Sequence, residues 1–122
     1  MNSILIVEDD LSLQRLYEIM LKTFGYTIIG KANNGKEAIE IFISSTLKPD
    51  IILMDHRMPI KNGIETASEI LKLNSHTKII FISADNSIKK KAFSIGASSF
   101  LEKPFNLEQL HNEIEKVLAL AF

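Results

Sequence analysis

The sequence contains neither cysteine nor tryptophan. Without a thiol, the chain has no disulfide framework, no thiolate metal site and no cysteine nucleophile. The absence of tryptophan also removes the usual intrinsic fluorescence reporter of ligand binding. Any chemistry of this chain must therefore come from oxygen- and nitrogen-bearing side chains.

The sequence also lacks a charge excess and a long apolar run. Its 14 Lys and Arg residues against 15 Asp and Glu residues leave a net charge of −1, which argues against a general electrostatic grip on nucleic acid or on an anionic membrane. No apolar stretch approaches the length of a membrane span, and the start of the chain lacks the apolar core of a signal peptide. We predict a cytoplasmic protein with no membrane association and no direct DNA binding.

The 122 residues, of which 46% are hydrophobic and 24% charged, predict one globular domain covering 1–122. Short continuous apolar runs alternate with longer stretches of helical period, a pattern typical of strands buried on both faces and covered by helices. Five runs are predicted strands: 4–7, 27–32, 51–54, 78–83 and 99–102.

Five segments with helical spacing complete the pattern. The first carries an apolar stripe that ends at Gly25: Leu13, Leu16, Tyr17, Met20, Leu21 and Phe24. A second is capped by Asn34, and a third carries Ile64, Ala67, Ile70 and Leu71. The fourth is predicted from about Asn86 to Gly96, with these residues turned inward: Ile88, Ala92, Phe93 and Ile95. The last has a capping box of Asn106 and Gln109 and this inner face: Leu107, Leu110, Ile114, Val117, Leu118 and Ala121. This (βα)5 order predicts an α/β fold with an open, doubly wound parallel sheet.

Ligands of such a sheet bind outside the carboxyl ends of its strands. Four of the five predicted strands deliver polar groups to that edge: Glu8, Asp9 and Asp10 after the first, Asp55 after the third, Ser83 at the end of the fourth and Lys103 after the fifth. Carboxylates forced together repel each other unless a cation offsets them. Oxygen ligands without cysteine or a well-placed histidine favour Mg²⁺ or Mn²⁺ over zinc.

Asp55 is the predicted nucleophile at this edge, because it ends the central apolar run. A carboxylate attacks phosphorus to form an aspartyl phosphate when a metal and a cation neutralise the approaching anions. Lys103 and Ser83 are suited to hold the phosphoryl oxygens as their charge grows.

Four motifs in this order and spacing resemble the receiver domain of two-component response regulators: Val7-Glu8-Asp9-Asp10, Met54-Asp55-His56-Arg57-Met58-Pro59, Ser83-Ala84-Asp85 and Lys103-Pro104-Phe105. The resemblance covers the whole chain and is greatest to single-domain regulators of the chemotaxis type. It implies a flavodoxin-like sheet with strand order 2-1-3-4-5.

The resemblance implies that Asp55 accepts a phosphoryl group from a sensor histidine kinase or a histidine phosphotransfer protein. It further implies that Asp9, Asp55 and the backbone carbonyl of Arg57 ligate Mg²⁺ directly, and that Glu8 acts through a water molecule. Ser83 and Lys103 would hold the phosphoryl oxygens, and the Lys103–Pro104 peptide would be cis.

The output implied by the resemblance is a two-state shift in which Ser83 and Phe100 move and reshape the face of the fourth helix, fifth strand and fifth helix. The downstream target would be an unidentified protein. The chain would be a monomer, with dimerisation on phosphorylation left open. Glu8, Ser83 and Phe100 stand where the family commonly has Asp, Thr and Tyr. Arg57 and Asp85 carry opposite charges at adjacent strand ends, so we predict an ion pair that shields Asp55 from water.

Some of these residues also have simpler structural interpretations, and two other functions are compatible with parts of the pattern. Asp10 is predicted to cap the first helix, and 89–91, three consecutive lysines, to form a solvated helix face. A phosphatase of the haloacid dehalogenase type needs a second aspartate two residues after the nucleophile, where this chain has Arg57. A scaffold that keeps the fold without phosphorylation stays open as the alternative function. We expect no enzyme activity beyond the chain's own phosphorylation and dephosphorylation.

Overall fold

The computed structural model describes residues 2–120, in which strands and helices alternate along the chain. The elements are β1 Ser3–Val7, α1 Leu11–Thr23, β2 Thr27–Ala32, α2 Gly35–Ser44, β3 Ile51–Asp55, α3 Gly63–Leu73, β4 Lys78–Ser83, a 3-10 turn Asn86–Ile88, α4 Lys89–Ser94, β5 Ser99–Glu102 and α5 Leu107–Leu118. The predicted (βα)5 order is confirmed. Ala121, predicted for the inner face of the last helix, lies outside the described residues.

The five strands form one parallel sheet in the order β2-β1-β3-β4-β5. Val7 pairs with Met54, and Ser83 pairs with Glu102, so these four strands end nearly level. The residue that follows or ends each strand therefore lies at one edge of the sheet. This register confirms the predicted strand order and brings the polar ends together.

Each buried strand alternates its side chains between two apolar layers, as period-two geometry requires. One layer packs against α2, α3 and α4 and includes Val7, Ile52, Phe81, Phe42, Ile70 and Ala92. The other packs against α1 and α5 and includes Ile6, Leu53, Ile82, Leu21, Ile114 and Val117. Because helices cover both faces of the sheet, the central strands have continuous apolar sequences.

Side-chain caps begin four of the five helices, and three of these caps were predicted. Asp10 accepts from the backbone N–H groups of Ser12 and Leu13, which confirms its capping role. Asn34 caps α2, and Asn106 forms the predicted capping box with Gln109. Asn62 forms a second capping box, on α3. These bonds satisfy amide groups that a helix N-terminus otherwise leaves unpaired.

The structure corrects the fourth helix. A 3-10 turn replaces its first part, and α4 spans only Lys89–Ser94. Phe93 was predicted to face inward but is 45% exposed, since it lies about 100° around the helix from the buried Ala92. The predicted lysine face of 89–91 is exposed.

The apolar stripe of α1 is also narrower than predicted. The buried residues of this helix are Gln14, Tyr17 and Leu21, at steps of three and four. Leu16 lies off that line and is 47% exposed, and Phe24 follows the last helical residue and stacks on His111 instead of entering the core. Within residues 2–120, no helix combines the length and apolar character needed to cross a bilayer.

Candidate functional site

Three carboxylates meet where β1 and β3 end. Glu8, Asp9 and Asp55 each offer an oxygen, and these oxygens all lie within 4.8 Å of one another. Glu8 and Asp55 are buried, with 1% and 5% exposure, whereas Asp9 faces solvent. The parallel register of β1 and β3 produces this cluster, because neighbouring parallel strands end at the same edge of the sheet.

Lys103 reaches the cluster from the end of β5. Its Nζ atom lies 3.4 Å from Glu8 Oε1 and 3.4 Å from Asp55 Oδ1. Its backbone N–H donates to the carbonyl of Ser83, which ties the start of the β5–α5 loop to β4. The ammonium therefore sits between two buried carboxyl groups, and one positive charge faces three acidic side chains.

Burial raises the pKa of the Glu8 carboxyl to about 7, and the negative charge of Asp55 adds to the rise, while the backbone N–H of Asp10 and the Lys103 ammonium oppose it. Burial also raises the pKa of Asp55, against the opposing effects of Lys103 and the backbone N–H of His56. Both shifts arise mainly from burial, which penalises the charged form of each carboxyl by more than Lys103 and the backbone N–H groups stabilise it.

This donor set fits a hard divalent cation. The cluster contains only carboxylate oxygens, with neither cysteine nor histidine among its members, and an open side remains at Asp9. Oxygen ligands and surplus negative charge match the preferences of Mg²⁺ and of Mn²⁺. The carboxylates that the sequence analysis assigned to the metal are thus brought together.

A pocket of about 440 Å³ opens beside Asp55 and is lined by Asp55, Arg57, Ser83, Ala84, Asp85, Asn86 and Lys103. Ser83 is buried, and its hydroxyl accepts from the backbone N–H of Asp85 at 3.0 Å. The predicted ion pair is present: Arg57 Nη2 lies 3.2 Å from Asp85 Oδ2. The pocket therefore joins a carboxylate, an ammonium and a hydroxyl, the three groups expected around a phosphoryl group.

The remaining predicted residues lie at or behind this edge. The Lys103–Pro104 peptide is cis, as the resemblance implies. Phe100 on β5 is half-buried against the layer of α2, α3 and α4, and Lys89 Nζ lies 6.0 Å from the centre of its ring. Phe100 thus lies apart from the acidic cluster, next to the lysine face of α4.

Sequence analysis missed Gln14, which supports the acidic loop. Its side-chain amide Nε2 donates to the carbonyl of Glu8 at 2.9 Å and to Asn33 Oδ1 at 3.0 Å. A third acceptor, the carbonyl of Ala32, lies at 3.3 Å. The sequence signal for Gln14 is a polar residue at helical spacing from Tyr17 and Leu21, on the buried face of α1. An amide buried on that face needs hydrogen-bond partners nearby.

The order of the sheet and the polar edge define a flavodoxin-like domain with an acidic site at the carboxyl ends of its strands. The chain belongs to the response regulator receiver domain family, whose sequence model matches residues 4–115. This result confirms the family that the motifs indicated.

Two curated relatives illustrate the match. The chain is 36% identical over 116 residues to the chemotaxis protein CheY of Thermotoga maritima, covering 93% of this chain and 95% of that protein. It is 34% identical to the transcriptional regulatory protein PdtaR of Mycobacterium tuberculosis, covering 92% of this chain and 54% of that protein. The chain thus spans about half of the latter.

Solved structures agree with the fold. CheY in a CheX–CheY–BeF3–Mg²⁺ complex from Borrelia burgdorferi matches with a TM-score of 0.93 and 26% identity, covering 98% of this chain and 90% of that one. The response regulator TrrA of Thermotoga maritima, in complex with Mg²⁺ and BeF, matches with a TM-score of 0.87 and 32% identity. The match covers 96% of this chain and 99% of that one.

Proposed function

We propose that residues 1–122 act as a receiver unit in which Asp55 accepts a phosphoryl group in a Mg²⁺-dependent reaction. The observation that carries the proposal is the position of the Asp55 carboxylate, held between Lys103 and two further acids and open to a pocket lined by Ser83. The donor would be a phosphohistidine on a sensor histidine kinase or a histidine phosphotransfer protein, because a receiver of a two-component system takes its phosphoryl group from such proteins.

In the transfer step, one carboxylate oxygen of Asp55 forms a bond to phosphorus while the P–N bond of the donor breaks. The donor imidazole keeps the electron pair of that bond and takes up a proton. Lys103 and the Ser83 hydroxyl hold the phosphoryl oxygens, whose charge must be stabilised as two anions approach. Phosphorylation and the later hydrolysis at Asp55 are the only reactions that we propose for the chain.

The metal would be held by Asp9, Asp55 and the backbone carbonyl of Arg57, with Glu8 acting through a water molecule. Mg²⁺ supplies positive charge that offsets the repulsion between the acids and an incoming phosphoryl group. Mn²⁺ suits the same oxygen ligands. The neighbouring structures that contain Mg²⁺ together with a beryllium fluoride support this assignment.

The output would be a population shift at the face of α4, β5 and α5. A phosphoryl group at Asp55 binds the arrangement with Ser83 drawn towards it and Phe100 turned inward behind it, and so favours that arrangement. Phe100 has no hydroxyl, so its state is read by packing. We expect the unphosphorylated chain to be a monomer and its downstream target to be another protein.

The test is the intact mass of the protein after incubation with a small-molecule phosphoryl donor and Mg²⁺. We expect one acid-stable, base-labile phosphoryl increment, which Asp55→Asn and metal chelation each abolish. Asp50→Asn, at the opposite end of β3, is the matched control and should retain the increment. A folded parent protein that gains no phosphoryl group from any donor would refute the proposal and favour the alternative of a scaffold that binds its partner without phosphorylation.

A further inference from the structure

The lysine face of α4 concentrates positive charge in a chain whose net charge is −1. Lys89, Lys90 and Lys91 are exposed, and none of them belongs to an ion pair within residues 2–120. The stretch 86–101 contains no Asp or Glu, and the first acid after the lysines is Glu102, at the end of β5. The fold therefore leaves these three charges for solvent or for a partner.

Phe93 places an aromatic ring beside these charges. Its side chain is 45% exposed and belongs to neither apolar layer. Residues four apart lie on the same side of a helix, so Phe93 is next to Lys89. Lys90 lies about 160° around the helix from the buried Ala92, which directs it away from the core. The exposed side of α4 thus combines ammonium groups with an apolar ring.

We propose that the lysine face and Phe93 together bind an acidic segment of a partner protein. Carboxylates of that segment would contact the lysines, while an apolar side chain between them packs on Phe93. The inference rests on the proposed function, because the face of α4, β5 and α5 is the one through which the chain is proposed to signal. It adds the chemistry of the downstream target.

Phe100 connects this surface to the phosphoacceptor. Lys89 Nζ lies 6.0 Å from the centre of the half-buried Phe100 ring, so this side of α4 adjoins β5. In the proposed active arrangement Phe100 turns inward, which withdraws its ring from Lys89 and opens space beside Phe93. The acidic segment should therefore bind the active arrangement more tightly. Because coupling is reciprocal, the bound segment should also favour that arrangement.

Other occupants fit the surface less well. An isologous contact of two copies, centred on α4, would oppose the lysines of one copy to those of the other, and like charges repel. Nucleic acid and anionic membranes attract proteins through a positive excess, which the chain as a whole lacks. A local acidic segment needs only the charges that α4 presents.

The simpler account is a solvated helix face, since single exposed aromatic rings are common on protein surfaces. The two accounts differ in how the chain treats a negatively charged peptide. A solvated face binds it no better than any other exposed lysine does. The proposed surface binds it through the lysines and the ring together, so that loss of either weakens the complex.

The experiment measures fluorescence anisotropy of a labelled synthetic peptide in which one leucine is flanked by glutamates and aspartates. The protein is the full chain, with and without Mg²⁺ and beryllium fluoride as the phosphoryl mimic. We expect tighter binding with the mimic. Lys90→Gln should weaken binding about two- to fivefold, the effect of one exposed charge pair. Lys36→Gln, which removes an exposed lysine of α2, is the matched control and should keep the parental affinity.

Phe93→Ser separates the acidic peptide from other polyanions. It should weaken peptide binding while leaving any binding of duplex DNA or of phosphatidylglycerol vesicles unchanged. Equal peptide affinities in the parent, Lys90→Gln and Lys36→Gln overturn the inference, as does the absence of peptide binding. Tighter binding of the DNA or the vesicles than of the peptide would also overturn it and assign the lysines to that polyanion.

Sedimentation of the chain with the phosphoryl mimic tests the second copy. A dimer that Phe93→Ser dissociates would assign the surface to self-association and overturn the inference. The proposed function fails separately, if the parent protein takes up no phosphoryl group at Asp55. In that case the peptide titration of the unmodified chain still decides whether α4 recognises acidic segments.

Discussion

The Arg57 guanidinium donates to the Asp85 carboxylate across the mouth of the pocket beside Asp55, with 3.2 Å between Nη2 and Oδ2. Arg57 follows β3 and Asp85 follows β4, so the pair bridges two neighbouring strand ends. The Arg57 side chain is 78% exposed, while Asp85 is also held by Ser87. Asp85 is thus an anchored acceptor, and Arg57 is the exposed member of the pair.

We predict that Arg57→Ala shortens the lifetime of phosphorylated Asp55 about two- to fivefold, a modest effect because exposed ion pairs are weak. Without the guanidinium, water reaches the acyl phosphate more freely. The measurement is the decay of the phosphorylated mass after the donor is removed. Lys61→Ala, which breaks the partly buried ion pair to Glu69 on α3, should leave the lifetime unchanged. Equal lifetimes in the parent and Arg57→Ala would show that the pair does not shield Asp55.

The buried carboxyl of Glu8 predicts a pH dependence of stability. Its pKa rises from 4.5 to about 7 on folding, so between these values the folded state holds a proton that the unfolded state has lost. The free energy of unfolding of the metal-free protein should therefore fall as pH increases from 4.5 to 7, by about 2–3 kcal/mol. The rise in the pKa of Asp55 acts in the same direction.

Denaturant titrations at several pH values test this prediction. Glu8→Gln cannot ionise, so its stability should vary much less across the same pH window. Glu40→Gln removes an exposed carboxylate on α2 and should behave as the parent does. A parental slope in Glu8→Gln would assign the pH dependence to another group.

Gly63 lets the start of α3 lie close to the backbone at the end of β3. A Cβ atom at this position would lie 2.3 Å from the carbonyl oxygen of Asp55 and 2.8 Å from the Cα of His56. Gly63→Ala should therefore lower the free energy of unfolding by about 2–3 kcal/mol and slow phosphorylation, since backbone atoms must shift. In Gly30→Ala the added carbon meets only side chains, at 3.2 Å, so thermal unfolding should show a smaller loss. Equal losses in the two variants would contradict this account.

Gln14 provides a prediction about the support of the acidic loop. Gln14→Leu keeps the apolar contact but removes the donor shared by Glu8, Ala32 and Asn33. We expect a loss of about 1–3 kcal/mol in the free energy of unfolding, because the carbonyl of Glu8 loses its side-chain donor, whereas the carbonyl of Ala32 keeps the backbone N–H of Glu8. Calorimetric titration should also show weaker Mg²⁺ binding, since the carbonyl that Gln14 holds belongs to Glu8. Unchanged affinity would limit Gln14 to a role in stability.

The sheet and its polar edge were predictable because buried parallel strands are marked by their own residues. The run Ile51–Met54 is apolar throughout and is followed by Asp55, so strand and site are read from the same segment. Parallel strands of equal register then bring their carboxyl ends together. Tertiary information was needed to show that Lys103 contacts Glu8 as well as Asp55.

The parts that sequence could not predict depend on contacts between elements. Gln14 is buried in α1 because acceptors on three residues outside the helix satisfy its amide. The hydrophobic periodicity of the helix alone assigns a glutamine to the solvent-facing side. Phe93 was placed on the wrong side because α4 has six residues, too few for the spacing of its apolar side chains to define a face.

The shortness of α4 has a consequence for local opening. The helix has fewer than two turns, no side-chain cap at its start and a single fully buried residue, Ala92. Helices of this length are unstable alone, so its hydrogen bonds persist only while Ala92 stays docked. The amide protons of Lys89–Ser94 should exchange with solvent long before those of α5, and this segment opens at a small fraction of the free energy that global unfolding requires.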